Sequence, residues 1–271
     1  MNFYNKKFWI RRGSYFITQR IGVTKNFSPS YLKSVRFLVG RCAAFMIWIE
    51  DDPSGSSYRC IYDSSCVDLN NISSKNSRTN LKRGLKRTQV REVKFCDLDE
   101  SYFEIYLKSC ESRQEKAKYT RDEFFANLRK FLSNDNCTIY AGFCDGRLAA
   151  YMTVINSETI AFGDVLHFDR AFGSSNPLWS LYYNVANISL TKGFLAFDRG
   201  TQPLVHSTNV DDFLVKINFK IVPIKYASRS FPLMSSCFRL LHFYVKRFPD
   251  FFSCTFRKKV FALDRILNSG F

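Results

Sequence analysis

The segment from Cys137 to Asn156 limits the fold more than any other part of this chain. It reads CTIYAGFC, then Asp-Gly, then RLAAYMTVIN. Two apolar runs rich in β-branched and aromatic residues, joined by Asp145-Gly146, spell a β-hairpin. A two-residue Asp-Gly turn supplies the positive φ angles that match the twist of the flanking strands. Any fold proposed for the chain must hold these two strands side by side and antiparallel.

The surrounding chain reads outward from that hairpin. Upstream, residues 91–95 (REVKF) alternate like a strand. Residues 97–110 predict a helix capped by Asp97 or Asp99, with Tyr102, Ile105, Tyr106 and Cys110 on one stripe. Thr120-Arg121-Asp122-Glu123 is a capping box that opens a second helix to about Leu132. Downstream, residues 159–168 (TIAFGDVLHF) predict another strand, and 169–176 a loop of small residues. Pro177 stands at the first position of a helix to about Thr191, where Lys192-Gly193 ends it. Residues 194–198 read as a strand, 210–217 as a helix begun at Asn209, and 220–226 as a closing strand. From residue 91 the order is therefore β-α-α-β-β-β-α-β-α-β.

The first 90 residues are less regular. Residues 37–50 read as a strand or a buried helix. The polar segment 51–57 is a loop, with 58–62 a short strand paired back across it. Residues 73–87 (SSKNSRTNLKRGLKR) predict a basic helix capped by Ser73 or Ser74, with Gly84 as its terminator. The tail from Leu233 to Phe271 mixes Phe, Leu and Lys/Arg at near-helical spacing. It reads as a helix packed on the domain or as one lying on a membrane surface.

Composition narrows the function classes. The net charge of +16 is uneven: residues 1–95 carry +12, 96–225 carry −2, and 226–271 carry +6. A near-neutral body with basic edges argues against a uniformly basic nucleic-acid binder, and DNA is not an expected partner. The nine cysteines include no C-x-x-C pair, so zinc ribbons and redox dithiols lack their spacing, no metal is expected, and reduced thiols are. There is no long apolar run after the basic start, and the run 42–49 is far shorter than a membrane span of ~20 residues. A cytoplasmic protein, with peripheral membrane contact at most, is the expectation.

The element order with its Asp-Gly hairpin resembles the GNAT superfamily of acyltransferases over residues 91–226. Two stretches sharpen the likeness. SSKNSRTNLKRGLKRTQVREV looks like the basic helix that precedes the acyltransferase domain in Fem-like and polysaccharide-locus members. LVHSTNVDDFLVKINFKIVP looks like their final helix and strand, joined here by Asn218-Phe219. The resemblance implies a mixed α/β (α+β) fold: a largely antiparallel central sheet with helices on both faces. Residues 1–90 would be a partial N-terminal unit and 227–271 a helical C-terminal tail.

The resemblance also implies a chemistry. Acyl transfer needs a polarised carbonyl, a neutral amine and a held donor. In this fold the strands at 159–168 and 194–198 splay, and backbone N–H groups of Val165, Leu166 and His167 would face the thioester. The diphosphate of acyl-CoA would sit at Arg170, Gly173, Ser174 and Ser175, before the helix at Pro177, with Asn209 nearby. The usual R/Q-x-x-G-x-G/A pattern is not present there. Candidates for proton transfer are Asp164, His167, Asp198 and His206. His167 and His206 read equally as structural side chains, Asp198 as a cap, and Asp164 as a salt-bridge partner. Asp164 and His167, three apart on one strand, are expected on opposite faces. An imidazole is favoured as base for its pKa near neutrality.

Three functions remain open. The first is transfer from acyl-CoA (acetyl-CoA) to a small-molecule or glycan amine, such as an amino sugar in envelope-polysaccharide synthesis. The second is Fem-like transfer from aminoacyl-tRNA, which the basic flanks favour. The third is a non-enzymatic binding protein on the same fold.

Overall fold

The computed structural model describes residues 9–12, 15–18, 45–51, 53–54, 57–72, 74–156, 159–201, 209–230, 232–248 and 260–261. It contains two compact units. One comprises residues 1–59, 201–208 and 222–271; the other comprises 60–200 and 209–221.

In the first unit, β1 (Trp9–Arg12) pairs antiparallel with β2 (Tyr15–Thr18), which runs parallel to β3 (Phe45–Asp51). The described part of the segment read as strand or helix is thus a strand. Its partner is not the strand expected back across the loop. All seven residues of β3 pair antiparallel with Ile224–Ser230 of β10 (Lys220–Ser230). The reason is length: β10 runs four residues beyond its expected end and so offers β3 a complete ladder. A helix, α6 (Pro232–Arg247), follows. Leu240, Phe243 and Tyr244 on it are exposed, while Val245 is buried. No helix among the described residues is long and apolar enough to cross a membrane.

The second unit carries the hairpin. Its elements are β4 (Ser57–Asp63, entering at Cys60), α1 (Lys75–Arg87), β5 (Thr88–Val93), α2 (Glu100–Ser112), α3 (Arg121–Leu132), β6 (Cys137–Cys144) and β7 (Arg147–Asn156). They continue with β8 (Ile160–Phe168), α4 (Pro177–Thr191), β9 (Ala196–Thr201), α5 (Asn209–Lys216) and the start of β10. The strand order is β4-β9-β8-β7-β6-β5. From β5 to β8 all neighbours are antiparallel; β8 and β9 are parallel. The mixed, largely antiparallel sheet is therefore as the sequence implies.

The turn between β6 and β7 has φ of 50° at Asp145 and 75° at Gly146, as the dipeptide dictates. One face of the sheet is covered by α2 and α3. Tyr102, Ile105, Tyr106, Cys110, Phe124, Phe125 and Leu128 pack there on Val93, Ile139, Ala141 and Tyr151. Tyr140, one residue out of step with Ile139, points to the other face. There its hydroxyl accepts a 3.0 Å hydrogen bond from Lys192, just past α4. Helices therefore cover both faces.

Local chemistry sets the boundaries, and several differ from expectation: β5 covers 88–93 instead of 91–95, and β9 covers 196–201 instead of 194–198. The Asp97 carboxylate accepts from the Lys94 N–H at 2.8 Å and fixes a short turn, so α2 starts only after Asp99, which caps it through Ser101. Gly84 does not end α1. It is buried within the helix, and a Cβ there would stand 2.7 Å from the Asn176 carbonyl oxygen and 3.3 Å from the Ser180 nitrogen. The glycine serves the close approach of α1 to α4. At Thr120 the capping box forms as read, with Glu123 accepting from the Thr120 N–H at 2.9 Å.

Candidate active site

The sheet opens where β8 meets β9. Only three steps pair: Ile160 with Ala196, Ala161 with Phe197 and Phe162 with Asp198. Beyond them the strands part, and Gly163 and Arg199 are the first unpaired residues. Gly163 permits this geometry, because a Cβ there would lie 2.9 Å from Phe197 Cζ and 3.6 Å from Arg199 Cδ. The Arg199 stem therefore lies against the backbone of β8 at the fork.

On its other edge β8 is bulged. Gly163 pairs with Val154 and Leu166 with Met152, so Asp164 and Val165 together oppose Thr153. The Thr153 hydroxyl fills the gap, accepting from the Val165 N–H at 2.9 Å. This has two consequences. The Val165 N–H, expected to face a thioester, is already engaged. The extra residue also reverses side-chain alternation along β8. Asp164 and His167, expected on opposite faces, both border one cavity of about 260 Å³.

That cavity lies between β8 and the α2–α3 layer. Its walls include Tyr106, Tyr119, Phe124, Leu128, Phe131 and Tyr151. The Tyr106 hydroxyl is held by the N–H groups of Lys118 (2.6 Å) and Tyr119 (3.1 Å), which fixes the segment between α2 and α3. His167 is buried between Tyr106, edge-on at 5.3 Å between centroids, and Tyr151 at 5.1 Å. Burial, aided by the charge of Arg113, pushes its imidazole down to about 4. It is neutral at pH 7 and a weaker base than its ordinary value implies. Its Nδ1 and the hydroxyl of Tyr151 are buried without a hydrogen-bond partner among the described residues.

Sequence reasoning passed over Arg199. Its Nε donates to the Tyr182 hydroxyl, and its guanidinium carbon stands 5.8 Å from the centre of that ring. Tyr182, Cys60 and Asp164 favour its charge against the opposing effect of burial. Tyr182, part of the aromatic stripe at 179–183, is a buried core residue whose polar end anchors this cation. The adjoining Asp198 is 2% exposed. Burial, then the charges of Asp211 and Asp198, raise the nearby Cys60 thiol to about 12. No local motif announces Arg199. Its one signal was its place directly after Asp198, on the strand expected to splay.

The β8–α4 connection is more closed than the resemblance implies. Residues Arg170–Ser175 form a 3-10 turn capped by Asp169, whose carboxylate accepts from the Ala171 N–H at 2.9 Å and from Lys108 at 2.7 Å. Arg170 donates to the Ser112 carbonyl at 3.1 Å, at the end of α2. Gly173, Ser174 and Ser175 lie in the turn, and a Cβ on Gly173 would meet open space. Asn176 closes it with φ of 53°, and its side chain reaches back to the Asn80 carbonyl of α1 at 3.4 Å instead of capping α4. The basic helix α1 thus abuts this turn, with Lys82, Arg83, Lys86 and Arg87 exposed. Asn209 begins α5. His206 lies outside the described residues.

A splayed pair of parallel strands, a bulge beside it and helices on both faces together decide the fold. The fold is GNAT-like. Among solved structures the chain is similar to FemX, with a TM-score of 0.61 and 9% identity over 85% of this chain and 84% of that one. It is also similar to the C-terminal domain of a protein named as a lysylphosphatidylglycerol synthetase from Agrobacterium fabrum. There the TM-score is 0.57, with 13% identity over 84% and 82% of the two chains. At such identities the GNAT-like likeness is one of fold. No protein-family model and no curated protein matches the sequence.

Proposed function

We propose that the chain is an acyltransferase that moves an acyl group from an activated donor to an amine. The observation that supports this reading is the open fork between β8 and β9. Arg199 stands at its mouth, and the adjoining cavity is bordered by Asp164. The donor carbonyl would enter the fork. With the Val165 N–H engaged by Thr153, the guanidinium of Arg199 supplies the positive field that an acyl oxygen needs as it gains charge. Asp164 holds the acceptor ammonium and passes its surplus proton to solvent. The neutral nitrogen then attacks the carbonyl carbon. A C–N bond forms, the bond to the donor sulfur or oxygen breaks, and the leaving group takes the electron pair and the second proton.

Acyl-CoA is the first donor to test, and an amino sugar of envelope polysaccharide is the acceptor class that the resemblance brings forward. Aminoacyl-tRNA is a second donor reading that specific observations favour. Arg170 is committed to the Ser112 carbonyl, the 3-10 turn replaces an open phosphate cradle, and the helix that meets this turn through Asn80 exposes Lys82, Arg83, Lys86 and Arg87. Calorimetry with acetyl-CoA, alongside transfer assays from acetyl-CoA and from aminoacylated tRNA, separates the two. Transfer from either donor that falls on the order of 100-fold in Arg199→Met is the expected result. Binding of neither donor and no transfer would sink the acyltransferase reading.

A further inference from the structure

The cavity beside Asp164 has walls that select what it can hold. Aromatic rings dominate it: Tyr106, Tyr119, Phe124 and Tyr151, with Leu128 and Phe131. Its polar side chains beyond the tyrosines are Asn127, at an exposed position, Thr153, Asp164 and His167, and two of the lining hydroxyls are engaged. The Tyr106 hydroxyl is engaged by two backbone N–H groups, and the Thr153 hydroxyl by Val165. Asp164 is the one carboxylate in the lining, and it lies among rings whose faces attract a cation.

An amino sugar of this size brings several hydroxyls, each of which needs a partner once dehydrated. Beside Asp164 the lining offers chiefly Asn127 and the Tyr119 hydroxyl, both on exposed residues and fewer than those hydroxyls need. A trisaccharide amine would exceed a volume of about 260 Å³. A flat ring or short aliphatic body ending in an ammonium fits both the walls and the charge.

We infer that this cavity binds a compact amine borne on an aromatic or aliphatic body, with at most one additional hydroxyl, in preference to an amino sugar. As the identity of the acceptor, this rests on the acyltransferase reading; as a binding site, it stands separately.

The test is equilibrium binding by calorimetry to the full chain without any donor. The probes are tyramine, phenethylamine and glucosamine. Tyramine is expected to bind saturably and at least tenfold more tightly than glucosamine. Asp164→Asn should weaken both aromatic amines at least tenfold. Tyr119→Ala, at a half-exposed position, gives a second weakening variant whose fold is checked by circular dichroism. Glucosamine binding as well as tyramine, or aromatic amines binding no differently in the Asp164 and Tyr119 variants, would overturn the inference. Transfer from an acyl donor is measured apart. Amine binding without transfer would keep the pocket and end the transferase reading; transfer to glucosamine with no binding of aromatic amines would do the reverse.

Discussion

The two faces of the sheet in the second unit are built to different rules. On the α4 face, polar side chains at buried and half-buried positions are matched. Ser180 donates to the Thr88 carbonyl, Asn184 to Ser180, Asn187 to Tyr62 and to the Tyr183 carbonyl, and Ser189 to the Val185 carbonyl. On the α2–α3 face, the hydroxyls of Tyr102, Ser109 and Tyr151 and the Nδ1 of His167 are buried with no partner among the described residues. A scaffold satisfies its polar atoms, because an unmatched buried one costs ~1–3 kcal/mol. The unmatched atoms lie on the α2–α3 side, while Arg199 is held from the α4 side by Tyr182; on the proposed reading the acceptor enters from the first side and the acyl oxygen meets the second at the fork.

The sharpest way to break this comparison is through His167. Its folded pKa of about 4 lies below the ordinary value of 6.5. Below pH 6.5 the unfolded chain takes up a proton that the folded chain refuses. The stability from keeping this ring neutral is present above pH 6.5 and is lost as pH falls toward 4. It amounts to roughly 3 kcal/mol at the acid end. Denaturant unfolding of His167→Phe should show a flatter pH dependence between 6.5 and 4 than the parent. An unchanged profile would mean that the α2–α3 face is as well satisfied as the other.

A smaller effect tests the α4 side. Gly84→Ala places a methyl group against the backbone oxygen of Asn176, which cannot rotate away, and overpacking there should cost about 1–3 kcal/mol. Thermal unfolding would register the loss, while amine binding should stay the same. If binding fell as well, the two faces would not be separable.

The smallest effect belongs to the cap of α3, which carries part of the cavity wall. Thr120→Ala removes one half of the capping box and should cost about 1 kcal/mol in chemical denaturation. A loss well above that would show that the α2–α3 segment depends on its caps more than on its core.

Much of the fold could be read from the sequence because its signals are local. The Asp145-Gly146 turn, the Thr120–Glu123 box, the stripe from Tyr102 to Cys110 and Pro177 at the start of α4 each act within a few residues. The misread features were set by distant partners. Gly84 looks like a helix end until Asn176 is seen against it. Residues 45–51 take β10 as partner across more than 170 residues of sequence, from Asp51 with Ile224 to Phe45 with Ser230, which no local pattern records. The site was legible in part. Asp164 and His167 stood out by residue type, but that they share a cavity follows from pairing with β7. Arg199 carried no mark of its own, since its place depends on Gly163 and Tyr182.

The bulge at Asp164-Val165 acts on β8 as a frameshift acts on a message. Every side chain after it is displayed in the opposite phase to the residues before it. Removing one residue there would restore the regular count and leave a single side chain opposite Thr153, with Leu166 still opposite Met152 and His167 still opposite Tyr151. The bulge thus lets one strand present two adjacent side chains, Asp164 and Val165, to the same cavity without disturbing the pairing on either side.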